Sequence, residues 1–279
     1  MATKFTHITL KEDKELIITN KEELCSQLRA LGLQKGMVVL VQANMKKMGY
    51  LIGGEQMLIE ALMDTVGYEG TIVIPTFTLD LLDPACQKKQ LPRIYWEEVR
   101  KNSLPFDKKT SAPIKEDTLA CQFLRNEGVA RSNHPIYSFA AWGKYAKLIC
   151  DYQPLHFGLN QESPLGEITK LNGYVALLGC DYDECIMYKL ACYKAKELPI
   201  KVVSAPILRA NHMQWKKILD LDFERLVMPD IGPALEERNI VKNADIASAP
   251  SHFFSSREAV QLAAAYQRVQ KEETNTSQN

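Results

Sequence analysis

Residues 131–139, Arg-Ser-Asn-His-Pro-Ile-Tyr-Ser-Phe, set a cation, an imidazole and serine hydroxyls beside a proline. An imidazole that titrates near neutral pH can take a proton as a general base. Pro135 biases His134 out of the helical region, so the ring is expected on a loop rather than on a helix face. Arg131 is the best anion candidate, since a guanidinium holds phosphate bidentately; a surface ion pair is the alternative. A second cluster, Asp181, Asp183 and Glu184, follows an apolar run and could attract a cationic substrate or orient a base, the alternative being a solvated loop. Gly49, Gly53 and Gly54 precede a helical pattern, but their spacing matches neither the dinucleotide fingerprint nor the Walker loop.

These residues need elements to position them. Leu24, Leu28 and Leu31 have helical spacing and Gly32 stops that helix. Met37 to Val41 reads as a strand buried on both faces, followed by an amphipathic helix ending at Gly67 and a strand at Thr71 to Ile74. This strand, helix, strand unit predicts a parallel crossover and an α/β fold. Ligands in such sheets gather beyond the carboxyl ends of the strands, which nominates Gln42 to Met45, Gln42 and Asn44 among them, and Pro75 to Thr78. Tyr174 to Leu178 is a third buried strand, leading to the acidic turn. Residues 79–112 lack sustained periodicity and are expected to be an irregular excursion with a short helix near Tyr95 to Lys101. Asp117 can cap a helix, Trp142 to Asp151 is expected as another, and Ser255-Ser256-Arg257-Glu258 has the form of a capping box. A single domain over 1–279 is expected, with its tail frayed from about residue 271.

Lysine plus arginine equals aspartate plus glutamate at 34 each, so nothing favours general affinity for nucleic acid or anionic membrane. The first residues lack a signal-peptide core and no run approaches a membrane span, which predicts a cytoplasmic protein. The seven cysteines are scattered and include no C-x-x-C pair, so neither a disulfide framework nor a metal site is expected.

Taken in order, several segments resemble the aminoglycoside 3-N-acetyltransferase family. They are Gly49 with Gly53-Gly54, residues 70–78 (Gly-Thr-Ile-Val-Ile-Pro-Thr-Phe-Thr), Arg131 to Pro135 with Ser138 to Gly143, Phe157-Gly158 with Ser163 to Gly166, and the strand ending Leu177-Leu178-Gly179. The resemblance implies a three-layer α/β/α sandwich with a mixed sheet. It implies transfer of an acetyl group from acetyl-CoA to a primary amine of a small molecule, not necessarily an aminoglycoside, with His134 as general base and no metal. It also implies that Thr76, Arg131, Ser132, Ser138 and Phe139 line the cofactor side, beside Gln42 and Asn44.

The chain departs from the family pattern at two edges of the expected site. Where the family reads Val-His-Ser-Ser, this chain has Val41-Gln42-Ala43-Asn44; where it reads His-Leu-Ala-Glu, this chain has Lys189-Leu190-Ala191-Cys192. The carboxylate expected to assist the histidine is therefore absent from position 192. Glu184, Asp183 or Glu162 could supply it. Two readings stay open: an acyl-CoA-dependent N-acetyltransferase, or a non-catalytic protein that binds CoA or another small ligand on the same fold.

Overall fold

The computed structural model describes residues 17–87, 91–194, 199–223 and 231–276. In chain order the elements are β1 (Ile18–Thr19), α1 (Lys21–Leu31), β2 (Val38–Ala43), β3 (Tyr50–Leu51), α2 (Gly54–Val66), β4 (Thr71–Pro75), α3 (Trp96–Asn102), α4 (Thr118–Phe123), β5 (Ala130–Arg131) and β6 (Phe139–Gly143). Then follow α5 (Ala146–Asp151), α6 (Pro164–Lys170), β7 (Tyr174–Leu178), α7 (Tyr188–Cys192), β8 (Ile200–Arg209), β9 (His212–Leu221), α8 (Gly232–Glu237), β10 (Lys242–Ile246), β11 (Ala249–Ser255) and α9 (Ser256–Thr276).

Seven strands form one mixed sheet in the order β10-β11-β7-β2-β4-β6-β5. The central strand β2 pairs in parallel with β4 and β7, and the remaining neighbours are antiparallel. Period-two alternation divides the apolar residues between two cores. Leu40, Val73 and Val175 face the layer of α5, α6, α7 and α9. Val39, Val41 and Ile72 face α1, α2 and α4. The expected α/β sandwich with helices on both faces is thus present. Local signals set the helix ends: the Asn20 side chain accepts from Glu23 N and the Glu23 carboxylate from Asn20 N, while Asp117 accepts from Ala120 N at the start of α4.

One expectation changes and one element is added. Trp142 lies in β6, and the helix starts only at Ala146, because Phe139 and Ala141 face one core and Ala140 the other, a strand period that the Ala-rich composition disguises. The helix α9 runs to Thr276 through Lys-Glu-Glu, residue types that favour helix. The hairpin of β8 and β9 is an element that periodicity alone does not predict. Its ten-residue strands pair from Ile200 with Leu221 to Arg209 with His212, across a two-residue turn in which Ala210 and Asn211 have φ of 48° and 63°. Asparagine tolerates that conformation but alanine does not advertise it, so the usual Asn-Gly signal is missing.

The excursion over 79–112 contains the short helix foreseen, as α3, and leans on the hairpin: Asp83 N donates to Ser204 O and Phe106 N to Pro206 O. Residues 88–90 of it lie outside the described residues. Among the described residues no helix is long and apolar enough to cross a membrane.

Candidate functional site

The parallel strands β2, β4 and β7 end at one edge of the sheet, and a cleft of about 700 Å³ opens there. Gln42 and Asn44 line it as β2 ends, Ile74 and Pro75 as β4 ends, and Glu184 in the loop after β7. This is the edge at which the topology places ligands in open α/β sheets. Glu55, Glu116 and Asp117 also line the cleft, against one lysine, Lys46. The excess of carboxylates favours a cationic ligand group. Sequence reasoning found Asp117 only as a helix cap, and nothing in the periodicity of the chain linked it to Glu184.

Two cleft residues are tied to each other. Gln42 Nε2 donates to the Glu184 carbonyl at 2.9 Å, and Ile186 N donates to Gln42 Oε1 at 2.8 Å. One Glu184 carboxylate oxygen accepts from Asp181 N at 2.8 Å. Asp183 is exposed and takes no part in the cleft wall. Glu162 lines a different hollow, beside Asp151 and Glu167. Burial is the main cause that pushes the Cys180 thiol, in the cleft wall, up to about 12, with Glu184 adding to it; the thiol therefore stays neutral and is a poor nucleophile. Burial also raises the Asp117 carboxyl above its ordinary value.

His134 is not among the residues that line this cleft. His134 is on a loop, as expected, but its side chain is 0% exposed. Its Nδ1 accepts from the backbone N–H of Ile136 at 3.1 Å and of Tyr137 at 2.9 Å. Because both partners are obligate donors, Nδ1 is unprotonated and the proton of the neutral ring sits on Nε2, 3.3 Å from the Leu155 carbonyl. Burial brings the pKa down to about 4. An imidazole with its one lone pair filled by two N–H groups has no basic site to offer a substrate in this arrangement. In this arrangement the ring holds the turn. Gly158 is needed to let it do so, since a Cβ there would lie 2.3 Å from Nε2.

Arg131 is likewise committed to its own chain rather than open as an anion clamp. Its guanidinium donates to Thr76 O at 2.9 Å, to Ser138 Oγ at 3.1 Å and to Ser111 O, and lies 5.2 Å from the Phe106 ring centroid. Burial lowers its pKa to about 10, which leaves it charged at neutral pH. Ser132 Oγ donates to Gln153 Oε1 at 2.6 Å and accepts from Phe139 N at 2.8 Å. Ser138 Oγ donates to Thr76 O at 2.8 Å, and Thr76 Oγ1 lies 3.0 Å from Ser138 O. Thr76, Ser132, Ser138 and Phe139 are all buried. Together with Arg131, these residues expected on the cofactor side form a closed network under the cleft. Gln153, which bridges Ser132 to the carbonyls of Tyr137 and Gly158, had no distinguishing signal in the sequence.

The two departures on α7 point in different directions. Cys192 is buried, and its Sγ accepts from Gln267 Nε2 at 3.1 Å. Burial raises its pKa, so it does not replace a carboxylate. Lys189 Nζ sits 4.3 Å from the Phe223 ring centroid. One turn further, the Tyr193 hydroxyl donates to the carboxylate of Asp220, whose pKa is raised by burial.

Comparison with known proteins agrees with this architecture. The family model described as aminoglycoside 3-N-acetyltransferase matches residues 40–268. The SPbeta prophage-derived aminoglycoside N(3')-acetyltransferase-like protein YokD of Bacillus subtilis (strain 168) is 35% identical over 245 residues, 87% of this chain and 90% of that one. Its crystal structure superposes with a TM-score of 0.85 at 34% identity, covering 93% of this chain and 95% of that one. Aminoglycoside N(3)-acetyltransferase III of Pseudomonas aeruginosa is 32% identical over 209 residues, 71% of this chain and 73% of it. A structure described as AAC-IIIb binary with CoASH is 25% identical, with a TM-score of 0.80 over 91% of this chain and 97% of that one.

Proposed function

Because the chain belongs to the aminoglycoside 3-N-acetyltransferase family, we propose that it is an acyl-CoA-dependent N-acetyltransferase acting on a primary amine of a small polycationic molecule, bound in the cleft at the ends of β2, β4 and β7. The observation that carries this reading is the cleft itself, about 700 Å³ with Glu55, Glu116, Asp117 and Glu184 in its wall. A relative of the same fold is described as a binary complex with CoASH. Among the residues that line the cleft, Lys46 is the cation that could meet a phosphate of such a co-substrate. Acetyl-CoA supplies the activated acyl carbon.

Glu184 pairs with the substrate ammonium and takes one proton from it, freeing the lone pair of the amine to attack; as the C–N bond forms and the C–S bond breaks, the second proton of the nitrogen passes to the departing sulfur, so that CoA leaves as the thiol. His134, Arg131, Ser132 and Ser138 serve this reaction by supporting the floor of the cleft. Purified protein with acetyl-CoA and a panel including sisomicin, gentamicin and spermidine is expected to release CoA, read by thiol detection. Glu184→Gln is expected to lower turnover by about a hundredfold while leaving the KM for acetyl-CoA unchanged. Full activity of that variant would remove Glu184 from the chemistry, and silence of the wild type across the panel would count against acyl transfer.

A second reading, binding of CoA or another small ligand without turnover, is favoured by two observations. The imidazole is sealed, and Cys192 faces α9 where the family pattern carries a carboxylate. Calorimetry that finds CoA binding with no release from acetyl-CoA supports it. If neither CoA nor acetyl-CoA binds, acyl transfer and CoA binding without turnover both fail.

A further inference from the structure

Resting on the reading in which Glu184 meets the substrate amine, we propose that Gln42 is a positioning residue whose carboxamide clasps the backbone of Glu184 and Ile186 and so fixes the Glu184 carboxylate at the cleft.

Gln42 stands opposite Leu177 in the parallel pairing of β2 with β7. Two residues later β7 leaves the sheet at Gly179, where φ is +69° and a Cβ would lie 3.0 Å from that of Ala249. The following loop returns over the end of β2. There the carboxamide donates to the carbonyl of residue 184 and accepts from the N–H of residue 186, at 2.9 and 2.8 Å. Bonding to O of one residue and N–H of the next but one is what a residue of a parallel strand does. The side chain thus continues the β2 and β7 ladder past the point where the backbones part.

Between the clasped groups, Cys185 is buried and anchors the loop from below. The side chain of Glu184 is then oriented within the loop, by the bond its carboxylate accepts from Asp181 N, and Asp181 is paired with Lys47 at 3.4 Å. Gln42 sets the backbone and Asp181 sets the rotamer. The titratable groups that face this clasp are Glu184, Cys180, Cys185, Asp181 and Lys47, with Lys46, Glu55, Glu116 and Asp117 lining the same cleft.

A carboxamide is needed because the clasp takes one donor and one acceptor from a single planar group. Gln42→Ala removes both. Gln42→Glu keeps the shape but, as the anion, has no donor for the Glu184 carbonyl; once protonated, the carboxylic acid supplies it again. In the full chain, Gln42→Ala is expected to raise the KM for sisomicin, or for another amine of the panel that the wild type acetylates, by about tenfold, with the KM for acetyl-CoA unchanged. The same variant should accelerate hydrogen exchange at the Ile186 amide. Gln42→Glu is expected to match Gln42→Ala at alkaline pH and to recover toward wild type as the pH falls, measured relative to wild type at each pH, whereas Gln42→Ala shows no recovery. An active wild type with Gln42→Ala indistinguishable from it, or Gln42→Glu impaired equally at every pH, overturns the role of Gln42. A wild type silent toward every amine overturns the reading on which that role rests.

Discussion

His134→Ala is expected to destabilise the protein by about 3 kcal/mol, seen as a lower denaturation midpoint with an unchanged slope, because it leaves the buried N–H groups of Ile136 and Tyr137 without an acceptor and opens a cavity beside Gly158. His134→Asn, which can return an oxygen near the position of Nδ1, should recover part of the loss. The ring also makes stability depend on pH in a defined direction. Its folded pKa, about 4, lies below the ordinary 6.5, so between those values the unfolded chain binds the proton first. The stability linked to neutral His134 is therefore fully present above pH 6.5 and is lost as the pH falls toward 4, about 3 kcal/mol in all. Denaturant titrations across that window should show the slope in the wild type and lose it in His134→Asn, which does not titrate. A His134→Ala protein that melts like wild type yet has lost all turnover would return the imidazole to the chemistry.

His134 marks the limit of what residue order discloses. Pro135 predicts the loop, and the loop is there. Gly158, whose missing side chain makes room for the ring, stands 24 positions further along the chain and in no periodic relation to it. Only the folded backbone brings the two together. The strands of the central sheet were legible for the opposite reason: burial on both faces leaves an apolar run that survives in one dimension, as at Val38 to Val41 and Tyr174 to Leu178. The edge at which a ligand would sit followed from those strands, and so did Gln42 and Asn44 as residues at the end of β2. Which polar groups face the cleft and which are spent beneath it did not follow. Gln42 and Glu184 are 142 residues apart, and Arg131 and Thr76 are 55 apart. A polar residue type announces that it can bond, but whether its partner is a ligand or a carbonyl of its own chain is settled only by packing.

Arg131 gives the sharpest case of that choice. As a phosphate clamp, its replacement would weaken CoA binding, increasingly so at low salt, and leave the fold intact. As the structure has it, the guanidinium joins three parts of the chain: the Thr76 carbonyl after β4, the Ser138 hydroxyl before β6 and the Ser111 carbonyl at the end of the excursion. Arg131→Met fills most of the volume but removes the guanidinium donor of the Ser111 carbonyl and one of the two donors of the Thr76 carbonyl, and is expected to cost roughly 3 kcal/mol of stability by denaturant titration. Arg131→Lys should recover only a minor part, because an ammonium is a single point of charge and cannot reach acceptors spread across the plane of a guanidinium. Loss of the bond to the excursion should also raise hydrogen exchange near Ser111 before the sheet itself opens. If Arg131→Met instead melts with the wild type and only CoA affinity falls, the side chain must leave these carbonyls to meet a phosphate, and the network described beneath the cleft would be a resting arrangement that the co-substrate displaces.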